Sequence, residues 1–215
     1  MVCYCSIGDF DDGFFLRAAE FLPPVKRSSV LKMKNEKSKR ETILAWLLLR
    51  HVLGDDAERL FQKLEFSKNG KPFFENEPIY FNLSHSRDTV CVAISSNGEI
   101  GVDVQAESNF KENVILRVFS ENEIKRSFEA FDRNLFFTRL WAIKESFLKQ
   151  QGCGIAFDLK SLDFSGSLPE ESFESYGLFF GVKKLEEYYF SVCSFCDEPQ
   201  SFERISASSL INMIK

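Results

Sequence analysis

The chain has 215 residues, 44% of them hydrophobic and 27% charged, which is enough apolar material for a full core and marks a globular rather than a disordered protein. That length suits one large domain or two small ones sharing a core. A net charge of −5 argues against a nucleic-acid binder that relies on broad phosphate neutralisation, yet leaves room for a local basic site that takes one phosphorylated small molecule.

The start, MVCYCSIGDFDDGFF, lacks the basic and apolar regions of a secretory signal. The densest apolar run, ILAWLLL at 43–49, is far shorter than the roughly 20 residues a membrane-crossing helix needs. Six Cys without an export signal indicate reduced thiols, and the expected location is the cytoplasm. Cys3, Cys5, Cys193 and Cys196 invite a four-thiolate zinc reading. They lie in strand-like runs rather than on turns, so ordinary buried cysteine is the better reading.

In chain order, residues 1–8 read as a strand. Pro23 and Pro24 open a turn or helix in LPPVKRSSVLKM. Residues 35–54 carry helix periodicity through Ile43, Leu44, Leu47, Leu48 and Val52, with Gly54 as the stop and His51 as a structural residue. LEFSKNGKPFF predicts a strand, a turn at Asn69–Gly70 and an extended continuation at Pro72. Three strands follow at 79–86, 89–96 and 99–105, with Asn97–Gly98 as a hairpin signal. Residues 113–131 and 133–152 read as helices, and residues 157–164, 176–183 and 188–196 as strands. Both halves mix helix and strand, so the fold class is α+β.

Three segments carry chemistry. In the strand EIGVDVQ, alternation places Ile100, Val102 and Val104 on one face and Gly101, Asp103 and Gln105 on the other. In RLWAIKESFLK (139–149), Trp141, Glu145 and Lys149 form one helix row with Lys144 beside it. By itself this is an ordinary solvated ion-pair pattern. FNLSHS (81–86) and GKP (70–72) are each compatible with simple turns.

Taken in order, GKP, FNLSHS, IGVDVQ, FSENE and LWAIKESFLK resemble the motif set of the Sfp-type 4′-phosphopantetheinyl transferases, from PPVKR onwards over nearly the whole chain. The resemblance implies two similar α+β halves packed as an intramolecular pseudo-dimer, with the active site in the cleft between them and a break near 104/105, giving halves 1–104 and 105–215. It implies transfer of the phosphopantetheine arm of coenzyme A to a serine of an apo-carrier protein (acyl, peptidyl or polyketide), with release of 3′,5′-ADP. A monomer is expected, with neither nucleic acid nor membrane as partner.

By the same resemblance Asp103 and Glu145 hold Mg²⁺, an ion that combines one or two carboxylates with phosphate oxygens and waters. Lys144 and Lys149 contact phosphate or pantetheine. Lys71 and Pro72 of GKP, with Ser84 and His85, bind the 3′-phosphate and ribose, and Lys26 contacts the nucleotide with Arg40 assisting. Trp141 braces the site. Asp103, Glu145 and Lys149 form the catalytic set. Glu145 leads as general base, with a water on the metal as the other option. Glu123 stays open between a third site acid and the capping box its SENE context predicts. Gln105 departs from the family, which often has Glu there, so it is expected to hold the metal weakly or through water. Two rivals are a non-catalytic binding module for coenzyme A or a carrier, and a metal-dependent phosphohydrolase. The second needs more clustered acids and histidines than the chain offers.

Overall fold

The computed structural model describes residues 1–154, 157–167, 171–196 and 201–215. Its helices are α1 (Asp12–Ala18), α2 (Pro24–Val30), α3 (Glu36–Leu53), α4 (Ala57–Phe61), α5 (Glu112–Val118), α6 (Glu121–Ser127), α7 (Arg133–Gln151) and α8 (Ala207–Met213). Its strands are β1 (Val2–Ser6), β2 (Leu64–Phe66), β3 (Pro72–Phe74), β4 (Tyr80–Ser86), β5 (Thr89–Ser95), β6 (Ile100–Ala106), β7 (Ser172–Ser175), β8 (Leu178–Leu185), β9 (Tyr188–Ser194) and β10 (Phe202–Arg204). The mixture is α+β, as expected. Among the described residues no helix is long and apolar enough to cross a membrane.

Two long helices organise the chain, and both are bounded by local chemistry. The Asn35 side chain accepts the Ser38 N–H at the start of α3, which ends at Gly54 with φ +58°. The Asp132 carboxylate accepts the N–H groups of Asn134 and Leu135 at the start of α7, which ends at Gly152 in the left-handed conformation.

Helix α3 packs on a sheet of order β10-β1-β5-β4, and α7 on a sheet of order β6-β9-β8-β7. Strand alternation divides each sheet between two cores. Val90 and Val92 of β5 join the α3 core, while Cys91 and Ala93 turn the other way and pack with Val102, Val104 and Phe190 of the second sheet. The layers therefore run helix, sheet, sheet, helix. Leu44, Leu47 and Leu48 of α3 are fully buried, each burial stabilising by about 1.5–3 kcal/mol.

The two sheets also meet edge to edge. The Asn82 Oδ1, Ser84 Oγ and Ser86 Oγ of β4 accept the backbone N–H groups of Val102 (3.1 Å), Val104 (3.3 Å) and Ala106 (3.0 Å). Strand β6 pairs with β9 along its other side. These three side chains, spaced by two, satisfy donors that would otherwise be an open strand edge.

The structure departs from the sequence reading in several places. Asn97–Gly98 does link β5 to β6, but the two strands enter different sheets and form no hairpin. The helix expected over 113–131 is broken at Phe119, which is extended, and restarts at the Ser120 cap. Residues 157–164 contain a 3₁₀ turn (Leu159–Ser161) instead of a strand. There the carbonyls of Leu159 and Leu162 accept from the Lys144 ammonium rather than from a neighbouring strand. The break expected at 104/105 would cut through β6. Strand β10 and α8 return to the first unit, where β10 pairs parallel with β1, and Ile205, Leu210 and Ile214 are buried in the α3 core.

Candidate active site

Helix α7 lies against β6 so closely that only glycine fits at position 101. A Cβ there would lie 2.0 Å from the Ser146 carbonyl oxygen and 2.4 Å from the Gln150 nitrogen. This approach brings the Asp103 side, on the same strand face as Gly101, under the Glu145–Lys149 row of the helix.

Asp103 is buried. Its Oδ1 accepts hydrogen bonds from the Ser84 hydroxyl (2.8 Å) and the Lys149 ammonium (2.6 Å). Lys149 also donates to Ser84 Oγ at 2.7 Å. The second carboxylate oxygen, Oδ2, is buried and has no hydrogen-bond partner among the described residues. A buried acceptor left in this condition costs free energy unless something supplies a positive charge or a donor.

Glu145 stands beside it. Burial pushes the Glu145 carboxyl above the ordinary glutamate range, and the Asp103 charge pushes it further, while Lys149 opposes both. Asp103 and Glu145 line one cavity of about 760 Å³, together with Arg117, Trp141 and Phe157. Glu145 and Lys149 also line a second, smaller cavity of about 240 Å³, whose wall includes Gly70, Lys71, Pro72 and Asn82. Trp141 braces the larger cavity against Phe110, the ring centroids 5.7 Å apart.

Two facing carboxylates with an orphaned buried oxygen suit a hard divalent cation that completes its shell with phosphate oxygens and water. Among the described residues no group of three or more His, Cys, Asp or Glu is placed to hold a metal ion. Gln105 sits nearby on β6, with its Nε2 donating to the Ala106 carbonyl and the Ser108 hydroxyl.

Other expected site residues lie elsewhere. Lys144 is 0% exposed: its ammonium donates to the carbonyls of Val118, Leu159 and Leu162 and pairs with Glu123 at 2.7 Å, so it has no access to a phosphate. Burial lowers the Lys144 pKa, and Glu123 opposes that. Glu123 is equally enclosed. It closes the capping box with Ser120 and accepts the Phe164 N–H, which settles its open assignment as a structural acid.

Ser84 and His85 were expected in one phosphate group. Successive residues of β4 face opposite ways. Ser84 is buried against Asp103, whereas His85 faces the α3 layer, its Nδ1 3.5 Å from Glu41. The Lys71 ammonium is held by the Glu99 carboxylate and by the carbonyls of Ile100 and Gln150. It braces the wall of the smaller cavity. Lys26 is half-buried over the rings of Trp46 (5.1 Å) and Phe66 (4.5 Å), and burial lowers its pKa. Arg40 pairs with Asp12.

Sequence reading passed over Asn82, Gly101 and Arg117. The first was legible as the start of an N-x-S-x-S alternation on β4. The second was legible as a glycine in a strand, which signals close backbone approach. Nothing in the sequence marked Arg117, an exposed residue of α5 whose place in the cavity wall depends on tertiary packing.

A closely packed strand and helix thus hold two carboxylates and a lysine beside two cavities, an arrangement compatible with a phosphorylated substrate. A family model described as the 4′-phosphopantetheinyl transferase superfamily matches residues 99–193, the stretch from the start of β6 to the end of β9. The chain is 32% identical over 160 residues to the 4′-phosphopantetheinyl transferase ffp of Bacillus subtilis, covering 72% of this chain and 70% of that protein. It is 29% identical over 150 residues to 4′-phosphopantetheinyl transferase Sfp of Bacillus subtilis (strain 168), covering 67% and 66%. It is also 29% identical over 167 residues to L-aminoadipate-semialdehyde dehydrogenase-phosphopantetheinyl transferase of Saccharomyces cerevisiae, covering 72% of this chain and 61% of that one. The chain belongs to the 4′-phosphopantetheinyl transferase superfamily.

Proposed function

We propose that the protein transfers the 4′-phosphopantetheine arm of coenzyme A to a serine hydroxyl of an apo-carrier protein, releasing 3′,5′-ADP. The observation that carries this reading is the orphaned Asp103 Oδ2, buried beside Glu145, which lines both cavities. One cavity provides for each side of a phosphoryl transfer, the smaller for the bound cofactor and the larger for the acceptor.

Glu145, which lines both cavities, accepts the serine proton as the serine oxygen bonds to phosphorus. The bond from that phosphorus to the bridging oxygen breaks, and its electron pair leaves with 3′,5′-ADP. Lys149, in reach of the same site, offsets the charge that builds on the phosphate oxygens. Asp103 and Glu145 would hold Mg²⁺, which when bound neutralises diphosphate charge. Gln105 tunes that ion without adding charge, since its amide nitrogen is engaged and its oxygen is neutral.

Arg117 offers an acidic carrier one basic contact in the larger cavity, whose lining also carries Asp103, Glu145 and Asp158. Phe157, Asp158 and Leu159 line the same cavity. Both carboxylates come from one chain, so the monomer is competent. The expected setting is the cytoplasm, with carriers of fatty-acid, polyketide or non-ribosomal peptide assembly as acceptors.

Incubation with coenzyme A, Mg²⁺ and a panel of apo-carriers, followed by weighing each carrier, tests the reading. At least one carrier should gain the phosphopantetheine mass; no gain on any of them rejects it. Metal titration of Gln105→Glu should give curves displaced from those of the wild type for Mg²⁺ or Mn²⁺. Coincident curves for both ions would remove Gln105 from the metal site.

A further inference from the structure

Asn82 is 5% exposed and lines the smaller cavity. Its orientation is fixed without reference to any ligand. The Val102 backbone N–H can be accepted only by an oxygen, so Oδ1 is the atom that faces β6, at 3.1 Å. The other carboxamide atom, Nδ2, is then a donor with no acceptor among the described residues. A buried amide with one half satisfied and the other facing a cavity is arranged for a ligand acceptor.

The neighbours identify that acceptor. Asn82 and Ser84 share a face of β4 and stand one strand repeat, about 7 Å, apart. Ser84 touches both Asp103 and Lys149. Lys149 places two of its three ammonium hydrogens on Ser84 and Asp103, leaving one for a ligand, and it lines the same cavity as Asn82. The other nearby cation, Lys71, is already engaged by Glu99 and two carbonyls. Two donor atoms thus remain, Asn82 Nδ2 and Lys149 Nζ, in the cavity that Glu145 also lines.

We infer that Asn82 is a ligand-binding residue whose Nδ2 donates to a non-bridging oxygen of the coenzyme A diphosphate. The inference rests on the transferase reading. It assigns Asn82 two separate jobs: the oxygen joins β4 to β6, and the nitrogen holds the cofactor.

The test uses Asn82→Ser and Asn82→Asp in the full chain. A serine at 82 keeps an oxygen for the Val102 N–H, as Ser84 and Ser86 do for the next two rungs, and lacks the Nδ2 donor. An aspartate keeps that oxygen too but places a negative acceptor where the donor was. Calorimetric titration with coenzyme A and with dephospho-coenzyme A, which lacks the 3′-phosphate, reads the contact directly. Thermal melting checks the fold.

Both ligands should bind Asn82→Ser about tenfold more weakly than wild type, the effect of one lost hydrogen bond to a charged group. Asn82→Asp should be weaker still. Wild-type affinity in Asn82→Ser overturns the inference. So does weakening confined to coenzyme A, which would move the contact to the 3′-phosphate. An Asn82→Asp protein no weaker than Asn82→Ser means a neutral acceptor and also overturns it. If the wild type binds neither ligand, the transferase reading fails and takes this inference with it, whereas wild-type binding with unchanged affinity in Asn82→Ser sinks this inference alone.

Discussion

Helices α3 and α7 are of similar length and each covers a four-stranded sheet, yet they bury different chemistry. The covered face of α3 is a block of Ile43, Leu44, Leu47 and Leu48, with Glu41 as a buried acid nearer its start. That of α7 holds Leu140, Ile143 and Phe147 but also Thr138, Lys144, Ser146 and Gln150, all buried. Ser146 bonds across to Ser191 of β9 at 2.9 Å, and Lys144 is bound to Glu123 and three carbonyls. Apolar packing tolerates small shifts, whereas a buried polar group is satisfied only within narrow distances and angles. The first unit is held chiefly by burial. The second fixes α7 against β6 and the 157–162 segment, and that registration aims Glu145 and Lys149 at Asp103.

The contrast can be broken most sharply at the carboxylates. Asp103→Asn and Glu145→Gln should each lower transfer by about a thousandfold, in the range for removal of a group that stabilises the transition state. Their melting temperatures should stay near the wild-type value. Carrier mass gained per unit time gives the measurement, and retained turnover in either variant contradicts the assignment of the pair. Lys144→Met comes next. It strands Glu123 in the interior and should cost about 3–5 kcal/mol in urea unfolding. A loss of transfer without that instability would return Lys144 to the substrate.

Gly101→Ala tests the closeness of α7 to β6. With a Cβ driven onto the Ser146 carbonyl, it should destabilise by about 3 kcal/mol and separate Asp103 from Glu145, so transfer falls along with stability. The smallest effect concerns Asp88, in the turn just before β5, which accepts from Tyr188 of β9 and Ser6 of β1. The Tyr188 bond leads in holding the Asp88 carboxyl below its usual range, with the Ser6 bond adding to it. A depressed folded pKa contributes stability that is present above the ordinary carboxylate range and fades as pH falls through the folded value. Asp88→Asn should therefore lose under about 1 kcal/mol at neutral pH, because the group is exposed, and should lose progressively less against wild type below about pH 4. Unfolding curves at two pH values read the difference.

The sequence carried the elements of the site better than its connections. Alternation in EIGVDVQ put Gly101 and Asp103 on one face, and the structure uses that face against α7. The Trp141, Glu145 and Lys149 row was legible from helical spacing alone. Lys144 was not, although the same geometry contained the answer: neighbours on a helix differ by about 100°, so if Glu145 faces a cavity, Lys144 need not. Alternation likewise separates Ser84 from His85, and the motif resemblance obscured it. The engagement of Lys71 by Glu99 and the end of α7 joins residues far apart in the chain, which no local pattern reports. The 3₁₀ turn at 159–161 was hidden for the same reason, since its shape depends on a buried ammonium supplied by another element.

The three-rung seam between β4 and β6 has a consequence for how the protein behaves in a crowded solution. A strand whose outward amides are already occupied offers no template to a stray chain. Converting Asn82, Ser84 and Ser86 together to alanine should leave those amides unpaired, and oligomers seen by light scattering in that variant alone would mark the seam as a guard against pairing with another chain.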